Sequence, residues 1–170
     1  SNFDILIDFC DDHSKVAVIT PKVIFTNGNL DPACHRGEPT ISASLSYYLG
    51  LEKFFPYSRT YGAYHQTYKR LDTIHTIDAC SGAAMIVRME AVQAVGLLDE
   101  RFTGYGGDDV DYSLRIQKAG FKLYITSSIK VKHGIPGEYT HSNSFHRTMT
   151  SDQLAHSTAD MLIKLKEKYK

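Results

Sequence analysis

A chain of 170 residues, 42% hydrophobic and 22% charged, is long enough for one soluble domain with its own core. Nineteen Lys and Arg balance nineteen Asp and Glu, so no global positive field argues for a nucleic-acid partner. No apolar run approaches the roughly 18 residues needed to span a bilayer, and Asp4, Asp8, Asp11 and Asp12 do not read as a secretory leader.

The first element in chain order is a helix with Phe3, Leu6, Ile7 and Cys10 on one face and Asp8, Asp11 and Asp12 opposite. Val16-Ala17-Val18-Ile19 follows, a strand buried on both faces and ended by Thr20-Pro21. Val23-Ile24-Phe25 leads to a turn at Asn27-Gly28-Asn29. Residues 31–76 are irregular, with Pro32, Pro39, Pro56 and six tyrosines, and a short helix is expected near Ser42–Leu49. These tyrosines either pack the segment onto the domain or offer aromatic faces to a sugar.

Ala83–Val87 reads as a second buried strand, entered through Asp78-Ala79-Cys80-Ser81-Gly82. A short helix over Glu90–Val95 stops at Gly96, and a second helix of roughly 10 to 12 residues starts at the acidic cluster and stops at Gly120. Alternation of Phe121, Leu123 and Ile125, then of Ile129, Val131 and His133, predicts strands. Residues 136–150 read as a mobile loop. Ser151 opens a C-terminal helix with an apolar stripe at Leu154, Met161, Leu162 and Leu165 and basic residues at Lys164, Lys166, Lys168 and Lys170. That basic end suits the helix dipole and solvent, or a peripheral contact with anionic lipid. Cys10, Cys34 and Cys80 are odd in number and widely spaced, which predicts reduced thiols and a cytoplasmic protein.

The most informative stretch is Gly104-Tyr105-Gly106-Gly107-Asp108-Asp109-Val110-Asp111. Acidic residues at a helix start serve as caps and suit the dipole. One cap needs one Asp, however, and two adjacent ones behind glycines that allow close ligand approach also fit acid–base chemistry.

Ser81-Gly82-Ala83-Ala84-Met85-Ile86-Val87-Arg88, then Val95-Gly96-Leu97-Leu98-Asp99-Glu100-Arg101-Phe102, then the acidic cluster with Lys118-Ala119-Gly120-Phe121 and Val131-Lys132-His133, together resemble the second half of the large inverting family of GT-A-fold glycosyltransferases. Leu30–Arg36 with Pro39-Thr40, and Leu51–Pro56, are similar to its rhamnosyltransferase-like branch. The turn itself departs from the usual Glu-Asp form and resembles the Gly-Trp-Gly-Gly-Glu-Asp turn of animal galactosyltransferases, with Tyr105 in the tryptophan position.

The resemblance implies an α/β, Rossmann-like partial GT-A fold: a mixed sheet with flanking helices, lacking the N-terminal nucleotide-binding half. It implies one domain over 1–170, with helix and strand in 1–30 and an acceptor and catalytic core in 77–135. It makes Asp109 the base that takes the acceptor hydroxyl's proton and Asp108 an acceptor contact. Ser81, Gly82, Tyr105, Gly106 and Gly107 would line the substrate site, and His133 would stand at a metal or diphosphate position. Asp111 and Arg115 would orient the helix.

A nucleotide-sugar donor, a glycan or lipid-linked acceptor and a divalent Mg or Mn ion belong to that expectation, as do inversion at the anomeric carbon and a role in cell-surface polysaccharide synthesis at the inner face of the membrane. The resemblance places the diphosphate-binding Asp-x-Asp motif of such enzymes just before the first residue, and Asn2-Phe3-Asp4 is a poor substitute for it, which predicts that the chain alone neither binds nucleotide sugar tightly nor turns over. Two other readings stay open: a non-catalytic carbohydrate-binding or scaffold domain derived from such an enzyme, and a metal-dependent hydrolase using Asp108, Asp109, His133, His141 and His146.

Overall fold

The computed structural model describes residues 3–102, 107–134 and 167. Tyr105 and Gly106, the 136–150 segment and the stripe of the C-terminal helix lie outside them. A four-stranded mixed sheet has the order β2-β4-β1-β3, with β1 Val16–Phe25, β2 His75–Ile77, β3 Ile86–Val87 and β4 Lys122–His133. Strands β1 and β4 run parallel; β3 and β2 lie antiparallel at the two edges. Helix α1 (Asp4–Asp12) covers one face, and α4 (Met89–Val95) with α5 (Asp108–Lys118) covers the other. This is an α/β fold consistent with part of a GT-A domain.

Strand β1 is central because nearly all of it is apolar and buried. A register shift between Val16 and Val18 puts Val16 and Ile19 together under Leu6 and Cys10 of α1. Ala17, Val18 and Val23 instead meet Ala91 of α4 and Tyr112 and Ile116 of α5. The buried stripe of α1 differs from the expected one. Leu6 and Cys10 are buried, but Phe3 and Ile7 stay about half exposed while Phe9 packs inward on Tyr124. Phe9 also stacks on His13.

Two strand boundaries differ from expectation for one reason, Pro21. It has no N–H to donate, so the antiparallel ladder from β1 to β3 stops after Val18–Val87 and Ile19–Ile86. The Thr20 hydroxyl donates to the Ala84 carbonyl instead, at 2.7 Å. The expected strand Ala83–Val87 is therefore a two-residue, half-buried edge, not one buried on both faces. On its other side β1 does not end at Thr20-Pro21. It continues to Phe25 along β4, after β4 bulges between Thr126 and Lys130.

Helices α2 (Ile41–Tyr48) and α3 (Leu51–Phe54) order part of the Tyr-rich segment. Thr40 caps α2 by accepting from the Ala43 N–H at 3.2 Å. A 3-10 turn, Pro32–Cys34, leads the chain from β1 back toward the end of β2. All three cysteines are buried and free. Burial pushes the Cys34 thiol to about 11 and the Cys80 thiol to about 12, so both are packing atoms and not nucleophiles.

Candidate active site

Three pieces of chain converge on Asp109: the strand-like backbone at Arg36, the loop Cys80–Gly82, and the start of α5. The first is fixed by backbone bonds. The Arg36 N–H donates to the Ala79 carbonyl at 3.1 Å, and the Arg36 carbonyl accepts from Asp78 and Ala79, each at 3.0 Å. Gly37 is required next, because a Cβ there would stand 2.2 Å from the Ala63 carbonyl oxygen. The second piece follows directly from β2 through Asp78 and Ala79. The third is set by Gly107, whose φ of +102° is open to glycine but strained for other residues. Its carbonyl accepts the first helical bond, from the Asp111 N–H at 2.7 Å.

The three carboxylates at the start of α5 have separate environments, and the N-cap position itself is Gly107, which has no side chain to cap the helix. The role expected of a capping Asp is taken by Gly107, so the cluster is not explained by capping. Asp111 is fully buried and accepts from Arg115 Nε at 2.8 Å. Arg115 continues to the carbonyls of Val95 and Leu97 at 2.6 and 2.8 Å, tying α5 to the end of α4. This is helix support, as expected for that pair. Asp108 is half-buried and makes no side-chain hydrogen bond among the described residues.

Asp109 is held most closely. Its Oδ2 accepts from Arg36 Nη2 at 2.7 Å and from the Gly82 N–H at 3.2 Å. Its own carbonyl accepts from the Ser113 hydroxyl at 2.7 Å, and Ser113 Oγ in turn accepts from the Cys80 N–H at 3.5 Å. Arg36 Nη2 also donates to the Cys80 carbonyl at 3.1 Å. The side chains of Arg36 and Asp109 are each only 14% exposed. Burial works against the Arg36 charge, but the Asp109 carboxylate outweighs it and holds the guanidinium above its usual value. Asp109 Oδ1 is shielded from solvent and, like Arg36 Nε, has no hydrogen-bond partner among the described residues. One oxygen of Asp109 thus anchors the group, and the other is left without a donor.

Arg36 carries no functional signal in the sequence, although it falls in one of the resembling stretches. Nothing local marks it: it lies 73 residues from Asp109 along the chain. Ser81 accepts from the Ala83 N–H at 3.2 Å, which shapes the turn that presents Gly82. A Cβ at Gly82 would stand 3.9 Å from Asp109 Cβ, so the loop lies directly over the carboxylate. Tyr64 is near enough for its hydroxyl to feel both Arg36 and Asp109, and burial raises it above its ordinary value. It stacks on Tyr47 at 4.7 Å, with His65 edge-on to both rings.

His133 lies at the end of β4, paired with Phe25, and is 39% exposed. Its Nδ1 is 3.3 Å from Asp31 Oδ2. A carboxylate on Nδ1 fixes the tautomer that leaves Nε2 free, the usual state of a ligating imidazole. Among the described residues, however, no three His, Cys, Asp or Glu side chains are grouped to hold a metal ion. Asp108, Asp109 and His133 are therefore not a metal cage.

Residues 63–142 match the family model described as the N-terminal domain of galactosyltransferase. The matched stretch is similar to a glycosyltransferase domain. No curated protein matches the chain. The matched stretch contains Ser81, Gly82, Asp108, Asp109 and His133, whereas Arg36 lies outside it. The described residues contain no helix long and apolar enough to cross a membrane.

Proposed function

We propose that this chain forms the acceptor side of a glycosyltransferase that moves a sugar from a nucleoside-diphosphate donor to an acceptor hydroxyl with inversion. The observation that carries this reading is the split role of the Asp109 carboxylate. Arg36 and the Gly82 N–H fix Oδ2, so the rotamer is set before substrate arrives, and Oδ1 makes no hydrogen bond among the described residues. The acceptor hydroxyl gives its proton to the Asp109 carboxylate as its oxygen attacks the anomeric carbon, and the sugar–phosphate bond breaks on the opposite side. Asp108, without a described partner, hydrogen-bonds the acceptor. Ser81 and Gly82 form the floor, with Gly107 beside them.

The galactosyltransferase description of the matching family favours a hexosyl donor of that kind over a rhamnosyl one. A divalent Mg or Mn ion would supply charge at the donor diphosphate, and His133, through Nε2, would contribute to its site. Synthesis of a polysaccharide or of a lipid-linked glycan on the cytoplasmic face of a membrane remains part of this proposal.

A second reading has one observation in its favour. Arg36 and Asp109 form a largely buried ion pair, and such a pair also suits a non-catalytic, carbohydrate-binding scaffold. Asp109→Asn separates the two. In the full-length protein that carries this sequence, the base role predicts a loss of about 10²- to 10⁴-fold in transfer. The scaffold role predicts no transfer in the wild type and a change only in glycan affinity or stability.

A further inference from the structure

Helix α2 is inside out. Its buried side chains are Ala43, Ser44 and Ser46, while Ile41, Leu45 and Leu49 at i, i+4 and i+8 point to solvent. Ile41 is 82% exposed and Leu49 62%. The adjoining stretch continues the pattern: Phe54 is 76% exposed and Tyr57 87%, with Phe55 about half exposed. Scattered exposed hydrophobes are ordinary, but a helix that turns its aliphatic face outward and two of its three serines inward is not.

The charge on residues 41–61 is one-sided. The single acid, Glu52, is turned in and bonded to His65 Nδ1 at 3.0 Å. The two bases, Lys53 and Arg59, are exposed. Exposed aliphatic and aromatic side chains, tyrosines with polar tips, and cations without exposed acids are the composition of a surface that lies in the headgroup layer of a membrane.

We propose that residues 41–61 are a peripheral docking face for an anionic phospholipid surface. Ile41, Leu45 and Leu49 enter the acyl boundary, Phe54 and Tyr57 sit at the headgroup level, and Lys53 and Arg59 meet lipid phosphates. This proposal rests on surface composition and not on the transfer reaction, so either can fail without the other.

The test is co-flotation of the purified chain with phosphatidylcholine vesicles, with and without phosphatidylglycerol. The wild type floats with the anionic vesicles. The triple variant Ile41→Ser, Leu45→Ser, Leu49→Ser binds about tenfold more weakly or worse. A second variant, Phe54→Ser with Tyr57→Ser, weakens binding in the same direction and covers the case in which the first fails to fold. A third, with Lys164, Lys166, Lys168 and Lys170 changed to Gln, keeps dependence on the 41–61 face. The proposal is overturned if the wild type ignores anionic vesicles, or if folded 41–61 variants bind as well as it does. It is also overturned if light scattering shows a dimer that the triple variant dissolves while vesicle binding is absent, because the face then belongs to a second copy.

Discussion

Helices α5 and α2 break the same rule in opposite directions. Helix α5 brings carboxylates inward: Asp111 is fully buried and Asp109 nearly so. Helix α2 turns Ile41, Leu45 and Leu49 outward and buries serines. Inward charge costs several kcal/mol unless every ion is paired, so its partners are built into the fold. Outward hydrocarbon has a smaller cost in the folded chain, because it is exposed in the unfolded chain as well. The first departure should therefore be visible in stability and the second almost only in association.

The sharpest way to break this contrast is Arg36→Ala. It strands the Asp109 carboxylate in a shielded site and should cost about 3–5 kcal/mol, read as a lowered denaturation midpoint. Asp111→Ala should follow at about 2–3 kcal/mol, since it unpairs Arg115 and loosens α5 from α4. If either is neutral, the buried charges at α5 are not the structural tie described above.

A pH dependence of similar size should come from His35, the neighbour of Arg36 in the chain. His35 is 2% exposed; its Nδ1–H donates to the His65 carbonyl at 2.7 Å, and its Nε2 lies 2.7 Å from His75 Nε2. Burial chiefly, with Lys69 and His75 adding repulsion, lowers its pKa from 6.5 to about 4. Between these values the unfolded chain takes up a proton that folded His35 refuses. Stability from this group is full above pH 6.5, falls as pH drops through the window and is lost below about 4. The span is about 3 kcal/mol, and His35→Asn should flatten that part of a stability–pH profile by about one proton. At the other extreme, Leu45→Ser on the outward face of α2 should change stability by less than about 0.5 kcal/mol, against about 2–5 for Ile116→Ala in the core.

Local rules carried far where the pattern was local. Helices α2, α4 and α5 appear within a residue or two of their expected bounds, because Thr40, Gly96 and Gly120 mark their ends. Strand β1 and the alternation of β4 were legible for the same reason. What was not legible depended on partners distant in sequence. The lengths of β1 and β3 turn on which side of β1 lacks the Pro21 N–H. The short β2 has three residues and no alternation to detect. In the site, Asp109 and Gly82 could be named from their motif, but Arg36 could not, because only the fold brings it to the carboxylate. The inward serines of α2 look like any polar helix face until burial is known.

The most direct test of the central claim is transfer by the full-length protein carrying Asp109→Asn, compared with wild type and with Asp108→Asn. Asn keeps an oxygen for Arg36 and Gly82 but is no base. The account predicts a loss of about 10²- to 10⁴-fold for Asp109→Asn with the melting transition retained, and a smaller loss for Asp108→Asn. Transfer at the wild-type rate by folded Asp109→Asn would contradict it.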